Sequence, residues 1–250
     1  MYLFVLSGHL IGDYYLKYIP FMREKDVGIL HIFIQALIYT LLITIIYSLF
    51  LPVDYVLFGG LTTLGIHFMI DLWHYLILKN QQGKPKEHQW RLGLFIGNLL
   101  LHFLFFYLLF ELVDGRNLYI ADGARKIIEM LLFIKPGDPL SIRIKYLFGY
   151  LFLITPSSYL MRYILQVIIP NEPRVESNRD NVGSMIGNIE RIIVFTLGIM
   201  DLYASIALVI TAKSLARFKQ LEDRAFAERY LIGTLLSFLI ALLSLLIILK

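Results

Sequence analysis

The chain has 250 residues, of which 58% are hydrophobic, 14% aromatic and only 17% charged. A soluble domain of this size has about a quarter charged residues and about half apolar ones, so this composition indicates a protein that faces lipid. The formal net charge of +4 comes without a long basic run, which argues against a nucleic-acid partner. The absence of cysteine excludes disulfides, iron–sulfur clusters and thiolate metal sites.

Hydrophobic runs long enough to cross a bilayer recur along the chain. A crossing helix needs about 20 apolar residues, and about seven runs approach or exceed that length. In chain order they cover residues 1–19, 27–53, 55–78, 92–110, 146–169, 185–210 and 230–249. We interpret the first run as a retained helix and not as a signal peptide, because it has no basic leader and carries His9 and Asp13.

Two stretches between these runs, 124–134 and 213–228, mix charged residues with apolar ones at helical spacing. This pattern is typical of helices that lie in the membrane interface. The predicted fold is therefore all-α: a polytopic transmembrane helical bundle of about seven spans, plus short amphipathic interfacial helices. We expect a single integral-membrane domain over 1–250, with a four-helix half at 1–113, a connector at 114–143 and C-terminal helices at 144–250.

The motif His-x-x-x-Asp occurs twice inside the hydrophobic runs, as His9 with Asp13 and as His67 with Asp71. A spacing of four residues places both side chains on one face of a helix, a turn apart, which suits two ligands of one ion or of an adjacent pair of ions. Ionisable side chains cost free energy inside a bilayer and are therefore functional-site hypotheses by default.

The second and fourth runs add polar pairs with the same spacing, His31 with Gln35 and Asn98 with His102. The fourth helix runs opposite to the first and third, so the reversed order in Asn98 and His102 brings three histidines to one depth. Their oxygen ligands then lie about one turn nearer the side of the loop 79–91, which we call side A. For His31 alone, a hydrogen-bonded packing role stays open.

Mixed imidazole and carboxylate ligands without thiolate indicate a divalent metal ion such as Zn, Mn or Fe. The predicted metal ligands are His9, Asp13, His31, His67, Asp71 and His102. Asp13 and Asp71 are also the predicted catalytic residues, because a carboxylate that is not fully engaged on the ion can act as general base toward water.

Charged residues on two helices are expected at the level of the aspartates, and one on the first helix is expected a turn nearer side A. Lys17 follows Asp13 on the same helical face, Arg162 lies on the fifth run, and Glu190 and Arg191 lie on the sixth. We predict that they bind the substrate, since a cation flanked by basic side chains suits an anionic group such as phosphate. The alternative is that these side chains snorkel to the interface or form ion pairs.

Several motifs resemble a known family. The N-terminal ones are Gly8-His9-Leu10-Ile11-Gly12-Asp13, His31 and Ile66-His67-Phe68-Met69-Ile70-Asp71, and the C-terminal ones include Ile186-Gly187-Asn188-Ile189-Glu190-Arg191, Ala212-Lys213-Ser214-Leu215-Ala216-Arg217-Phe218-Lys219 and Glu228-Arg229-Tyr230-Leu231-Ile232-Gly233-Thr234. Together they resemble the bacterial integral-membrane proteins grouped as domain of unknown function 3307. The resemblance implies a helical protein of the bacterial cytoplasmic membrane with this His/Asp site, and it assigns no activity.

This chain departs from the family pattern at two positions. Lys17 stands where the family tends to have Gln, and Asn98 stands where an Asp precedes the histidine of the fourth helix. The paired His-x-x-x-Asp helices are more distantly similar to proteins labelled membrane-bound metal-dependent hydrolases.

Three function hypotheses follow. The leading one is a membrane-embedded metal-dependent hydrolase acting on an amphipathic or phosphorylated lipid-like substrate that enters from side A. The alternative is a transporter or channel for a divalent cation or protons, for which Pro156 would break a helix as carriers often do. A membrane scaffold or assembly factor is the third, and it would use the His/Asp pairs as interhelical hydrogen bonds. The expected partners are the lipid bilayer and the substrate, and self-association is left open.

Overall fold

The computed structural model describes residues 2–16, 28–112, 122–132, 139–169 and 178–249. Every regular element in these ranges is a helix, which confirms the predicted all-α class. Within them, five helical stretches are long and apolar enough to cross a membrane: Ile29–Ser48, Val53–Gln81, Glu87–Leu112, Leu140–Ile168 and Arg224–Leu249. The chain is therefore a multi-pass helical protein by length and composition, and the larger count of about seven spans stays a prediction.

The described chain forms two compact units, Met1–Phe148 and Gly149–Lys250. The helices of the first unit are α1 (Tyr2–Leu10), α2 (Ile29–Ser48), α3 (Val53–Gln81), α4 (Glu87–Leu112), α5 (Asp122–Leu131) and the first part of α6 (Leu140–Ile154). A π-helical segment, Ile11–Tyr15, continues α1 without a break. The helix α5 lies at the amphipathic stretch expected around 124–134.

Four helices of the first unit, α1 to α4, form a closed arrangement. In it, α1 contacts α2 and α4, α2 contacts α3, and α3 contacts α4. In a bilayer, the backbone N–H and C=O groups must form their hydrogen bonds within the protein, and an apolar segment meets this requirement by forming a helix. One end of the bundle is filled by a buried apolar core that includes Val5, Ile43 and Phe106. Polar side chains are also buried in this unit, among them His9, Asp13, His67 and His102 of the predicted site.

The turn between α3 and α4 sets the register of these two helices. Gly83 has a φ of +75°, which favours glycine, and its backbone N–H donates to the Glu87 carboxylate at 2.7 Å. Arg91 also donates to Glu87, at 2.7 and 2.9 Å. The tight turn makes the two helices antiparallel neighbours, so His67 and His102, at similar distances from the turn, face each other.

Two glycines allow α1 to approach α2 closely. A Cβ atom at Gly8 would collide with the Ile46 side chain, and one at Gly12 would lie 2.5 Å from Cδ2 of Tyr39. Only a residue without a Cβ fits at such a distance. Gly8 directly precedes His9 and Gly12 directly precedes Asp13, so the close approach brings both predicted ligands near α2.

The second unit holds the end of α6 together with α7 (Pro156–Ile168), α8 (Asn178–Ile199), α9 (Tyr203–Ala216), a 3-10 segment (Phe218–Glu222) and α10 (Arg224–Leu249). Within this unit, α10 contacts α8 and α7, and α8 contacts α9 and α7. Gly149 and Gly198 permit close packing, because a Cβ at either one would meet side chains of Phe195, Ile248 or Leu245.

The predicted span 146–169 is interrupted at Thr155, between α6 and α7. Pro156 has no backbone N–H and begins the second helix, as proline commonly does. Side-chain hydroxyls hydrogen-bond to backbone carbonyls at this break. Ser157 donates to the carbonyl oxygen of Leu153, and Ser158 donates to that of Ile154 at 2.9 Å. Such partners make a broken helix tolerable within a membrane.

The predicted continuous span 185–210 is wrong, because α8 ends at Ile199 and α9 begins at Tyr203. Asp201 between them has a φ of +58°, and its carboxylate accepts a hydrogen bond from the Tyr203 hydroxyl at 2.9 Å. A short polar side chain is among the few that tolerate this left-handed conformation. The apolar residues on both sides of Asp201 conceal the turn in the sequence.

The segment 213–228 also differs from its prediction of one interfacial helix. Its first residues complete α9, a 3-10 segment follows at Phe218–Glu222, and α10 already begins at Arg224. The start of α10 is stabilised by Asp223, whose carboxylate accepts the backbone N–H of Phe226 at 2.7 Å, as an N-cap residue does. The amphipathic pattern thus belongs to the ends of two helices and their connection.

Candidate metal centre

Three histidines from three different helices meet in the interior of the first unit. His9 on α1, His67 on α3 and His102 on α4 are each at most 2% exposed. The rings of His9 and His102 are stacked with centroids 4.5 Å apart, and the centroids of His67 and His102 are 5.0 Å apart. The spacing argument, which placed these residues at one depth on neighbouring helices, therefore matches the positions in the structure.

Two carboxylates face the same nitrogen of His67. Its Nε2 lies 3.4 Å from Oδ1 of Asp13 and 3.6 Å from Oδ2 of Asp71. The Asp13 side chain is 3% exposed and that of Asp71 is 11% exposed, so both negative charges are largely removed from water. Two carboxylates in such surroundings need a positive charge close by.

The proton positions on the histidines follow from a chain of hydrogen bonds. Nδ1 of His102 lies 2.9 Å from the backbone carbonyl oxygen of Asn98, which can only accept, so this nitrogen donates. With His102 neutral, its Nε2 is then an acceptor, and Nδ1 of His67, at 2.8 Å, donates to it. This leaves a lone pair on Nε2 of His67, directed at Asp13 and Asp71.

A lone pair that faces two carboxylates is stabilised by a cation among the three groups or by an added proton, carried by an imidazole or by one of the carboxyl groups. The donor set fits a cation: metal–nitrogen and metal–oxygen bonds of about 2.0–2.1 Å at a tetrahedral angle separate two ligand atoms by about 3.3 Å. The observed separations of 3.4 and 3.6 Å are close to that value. They are longer than a charge-assisted hydrogen bond, which is about 2.7–2.9 Å.

A second group with the spacing of a metal site adjoins the first. His9, Asp13 and His102 form one group and Asp13, His67 and Asp71 form the other, each with ligand atoms within 4.8 Å of one another. Nε2 of His9 lies 4.0 Å from Oδ2 of Asp13, which is thus common to both groups. Both ring nitrogens of His102 are hydrogen-bonded, one to the Asn98 carbonyl and one to His67, so neither is available to an ion in this arrangement and the ligand role of His102 stays a prediction. The group of Asp13, His67 and Asp71 is therefore the better candidate to hold an ion.

Tyr39 on α2 was not predicted from the sequence, yet it joins these groups. Its hydroxyl lies 2.8 Å from Nδ1 of His9, and its ring stacks on His67 with centroids 3.7 Å apart. A signal was present, because His31, Gln35 and Tyr39 follow one another at intervals of four on one face of α2. Because aromatic residues are abundant in this chain, one tyrosine at this spacing is not a distinctive signal.

His31 itself lies outside both groups in the part of the chain that the structure describes. Its Nε2 is 2.8 Å from Nε2 of Gln35. Gln35 in turn lines a small cavity beside Asp13 and His67, with room for about one water molecule. The role of His31 as an added ligand therefore stays a prediction, and its observed contact is to a residue that lines the cavity.

The remaining predicted site residues belong to the second unit or lie outside the described residues. Lys17 lies outside the described residues. Arg162 is exposed and its guanidinium lies 5.8 Å from the ring centroid of Tyr159. Glu190 accepts a hydrogen bond from Lys213 at 2.5 Å. The predicted role of these residues in substrate binding is untested by these contacts.

Arg191 is 3% exposed and its guanidinium contacts neutral oxygens from four helices, its own included. Nε donates to the carbonyl oxygen of Leu153 at 3.1 Å, Nη1 to Ser237 at 3.2 Å and Nη2 to Ser158 at 2.8 Å. Nη2 also donates to Oδ1 of Asn188. Arg191 therefore satisfies a carbonyl at the α6–α7 break as well as carrying a buried charge.

Comparison of the chain with protein-family models, with curated proteins and with solved structures finds no match. The resemblance to the family of domain 3307 and to membrane-bound hydrolases thus stays a prediction. Function is inferred from the geometry of the described residues.

Proposed function

We propose that the chain is a membrane-embedded, metal-dependent hydrolase that holds a divalent ion, Zn, Mn or Fe, among His67, Asp13 and Asp71. The observation that carries the proposal is the buried Nε2 of His67, which faces carboxylate oxygens at 3.4 and 3.6 Å. A divalent ion would neutralise both carboxylates, whereas one added proton would neutralise only one of them.

The residues around these ligands have distinct roles in this proposal. His102, held by the Asn98 carbonyl, fixes the orientation of His67, as a hydrogen-bond partner behind a metal ligand commonly does. Tyr39 does the same for His9, which we propose as a further ligand beside Asp13. When bound, the ion would lower the pKa of water toward neutrality and polarise the bond that is broken.

Asp13 and Asp71 are the proposed general bases. Asp13 lines the cavity that has room for about one water molecule, so one of its oxygens can accept a proton from water there. A neighbouring carboxylate, Asp71, faces the same His67 nitrogen and can share this task. Gln35 also lines the cavity and offers an amide that orients the water.

The proposed substrate is an amphipathic or phosphorylated lipid-like molecule. The long helices expose large apolar side chains such as Leu41, Leu57 and Leu104, which supports contact between this protein and acyl chains. Arg191, Glu190, Arg162 and Lys17 remain the proposed contacts for its anionic group. The bacterial cytoplasmic membrane, which the family resemblance implies, is the proposed location.

The hydrolase proposal is tested with the full chain purified in detergent, stripped with a chelator and reloaded with Zn, Mn or Fe. Short-chain lipids with a phosphomonoester, a phosphodiester or a carboxylic ester bond serve as substrates. We expect metal-dependent hydrolysis of one class and a loss of about 100-fold or more in Asp13→Asn, which removes a ligand and base. Asp54→Asn is the matched control, because Asp54 lies in the first turn of α3, away from both His/Asp groups.

A transporter of divalent cations or protons is the second candidate, and one observation favours it. The break between α6 and α7 at Thr155 and Pro156 resembles the interrupted helices that carriers use around an ion site. Metal-dependent isotope uptake into liposomes, without hydrolysis of any lipid class, would contradict the hydrolase and support the carrier. Hydrolysis without uptake would do the reverse.

A further inference from the structure

A second cavity, with mostly apolar walls and a few polar side chains, lies within the second unit, between α8, α9 and α10. It is bounded by one group of side chains, namely Glu190, Arg191, Val194, Val209, Ile210, Lys213, Thr234, Ser237, Phe238 and Ala241. The cavity has room for about one or two water-sized atoms. Its lining residues all belong to the range Gly149–Lys250, whereas the candidate metal ligands belong to the first unit.

Hydrogen-bond donors predominate among the polar groups of this cavity. Arg191 is 3% exposed and Ser237 is 6% exposed, so the polar end of the cavity is built into the helix packing. Nη1 of Arg191 donates to Ser237 at 3.2 Å. The hydroxyl oxygen of Thr234 is buried and has no hydrogen-bond partner among the described residues. Buried hydroxyls of this kind call for a ligand or a water.

The charges at the cavity sum to a net positive value. Glu190 is balanced by Lys213, whose Nζ lies 2.5 Å from its Oε2. Arg191 has neutral oxygens as its hydrogen-bond partners. Lys213 and Arg217 both lie over the ring of Tyr230, at 5.4 and 5.8 Å from its centroid, so a further positive charge lies nearby. An anion therefore gains more from this cavity than a cation does.

We propose that this cavity binds a phosphate group, with one phosphoryl oxygen inserted between Arg191, Lys213 and Thr234. Arginine and lysine donate to phosphate oxygens, and the Thr234 hydroxyl would supply a third donor. The cavity admits only one or two water-sized atoms, so the acyl chains of a phospholipid would lie outside it, as lipids do whose headgroups occupy basic pockets between membrane helices. Arg191 and Glu190 are also the proposed contacts for the anionic group of the substrate, so this inference deepens that part of the hydrolase proposal. Binding itself requires neither a metal nor turnover, so it can be tested without metal and can hold where hydrolysis fails.

The test uses isothermal titration calorimetry on the full chain in maltoside detergent, with a chelator present so that no metal-bound phosphate contributes. The probes are inorganic phosphate, a short-chain phosphatidylglycerol and a diacylglycerol of the same chain length. We expect binding of at least one phosphate-bearing probe and none of the diacylglycerol. Tighter binding of the phosphatidylglycerol identifies a lipid headgroup as the source, and equal or exclusive binding of inorganic phosphate identifies free phosphate.

Two variants with opposite expected effects sharpen the test. Thr234→Val keeps the side-chain shape, removes the hydroxyl and is expected to weaken binding about tenfold. Glu190→Gln removes the competing carboxylate from Lys213 and is expected to tighten binding about tenfold. Thr211→Val is the matched control, because Thr211 is exposed on α9 and donates to its own helix. The proposal is overturned if wild type binds no phosphate-bearing probe, or if Thr234→Val binds as tightly as Thr211→Val.

Discussion

At the scale of single residues, Tyr39 contacts two of the histidines of the candidate centre, His9 and His67. It is 2% exposed, contacts Nδ1 of His9 through its hydroxyl and stacks on His67 with its ring. A ligand's hydrogen-bond partner typically changes metal affinity by about 10–100-fold when it is removed. The chain therefore offers a residue whose substitution weakens the centre without touching a ligand.

We expect Tyr39→Phe to lower metal affinity about tenfold or more, because Nδ1 of His9 loses its partner while the ring and the packing remain. The measurement is a competition titration against a metal indicator in detergent. Tyr47→Phe is the control, since Tyr47 is equally buried on α2 and its hydroxyl contacts Thr63 at 3.2 Å, away from the centre. Equal affinities in the two variants would show that Tyr39 does not support the ligands.

The sequence predicts the histidines and aspartates of the centre better than their partners. His9, Asp13, His67, Asp71 and His102 stand out because charged or ligating side chains are rare inside apolar runs. Tyr39 and the carbonyl of Asn98 do not stand out, because a tyrosine or a backbone oxygen is ordinary in any helix. Their roles depend on which helices are neighbours, and only the folded structure gives that.

At the scale of elements, the start of the chain is shaped to bring ligands against α2. The segment Ile11–Tyr15, which carries Asp13, is π-helical, and such segments occur often at functional sites. Gly12 lies in the same segment, and a Cβ there would come within 2.5 Å of the Tyr39 ring. The π-helical geometry therefore affects the position of Asp13, and Gly12 affects Tyr39, whose hydroxyl contacts His9.

Gly12→Ala is expected to displace Tyr39, to lower the free energy of unfolding by about 1–3 kcal/mol and to reduce metal binding. Thermal unfolding in detergent and metal content are the two readouts. Gly93→Ala on α4 is the control, because a Cβ there meets nothing within 4 Å and alanine is the better helix former. If Gly12→Ala matches Gly93→Ala in both readouts, the close approach of α1 to α2 has no role in the centre.

Helix existence is predictable from the apolar runs, and helix interruption is predictable only in part. Pro156 marks the break between α6 and α7, since it cannot donate a backbone hydrogen bond. The turn at Asp201 cannot be recognised from the sequence, because a single aspartate in an apolar run is equally compatible with a buried functional group. Hydropathy averages over such a turn, which is why 185–210 was predicted as one span.

At the scale of the whole molecule, the short turns between α2, α3 and α4 imply that these helices cross a bilayer in alternating directions. The helices α2, α3 and α4 are each among the candidate membrane spans. Asp54 lies at the start of α3 and Gln82 directly follows its end, so a membrane-spanning α3 places the two residues on opposite sides.

The absence of native cysteine makes this arrangement directly measurable. Single-cysteine variants Asp54→Cys and Gln82→Cys are expected to react with a membrane-impermeant maleimide from opposite faces of sealed vesicles, because both positions are exposed. Vesicles opened with detergent are the control, in which both variants should react fully. Labelling of both positions from one face would contradict a membrane-spanning α3.

The central claim is that His67, Asp13 and Asp71 hold a divalent metal ion, and elemental analysis by mass spectrometry tests it most directly. We predict about one Zn, Mn or Fe ion per wild-type chain purified in detergent. Metal should be lost in His67→Ala and Asp71→Ala and retained in His88→Ala, whose site lies outside both groups. Folded wild-type protein that carries no metal, even after incubation with added ions, would contradict the claim.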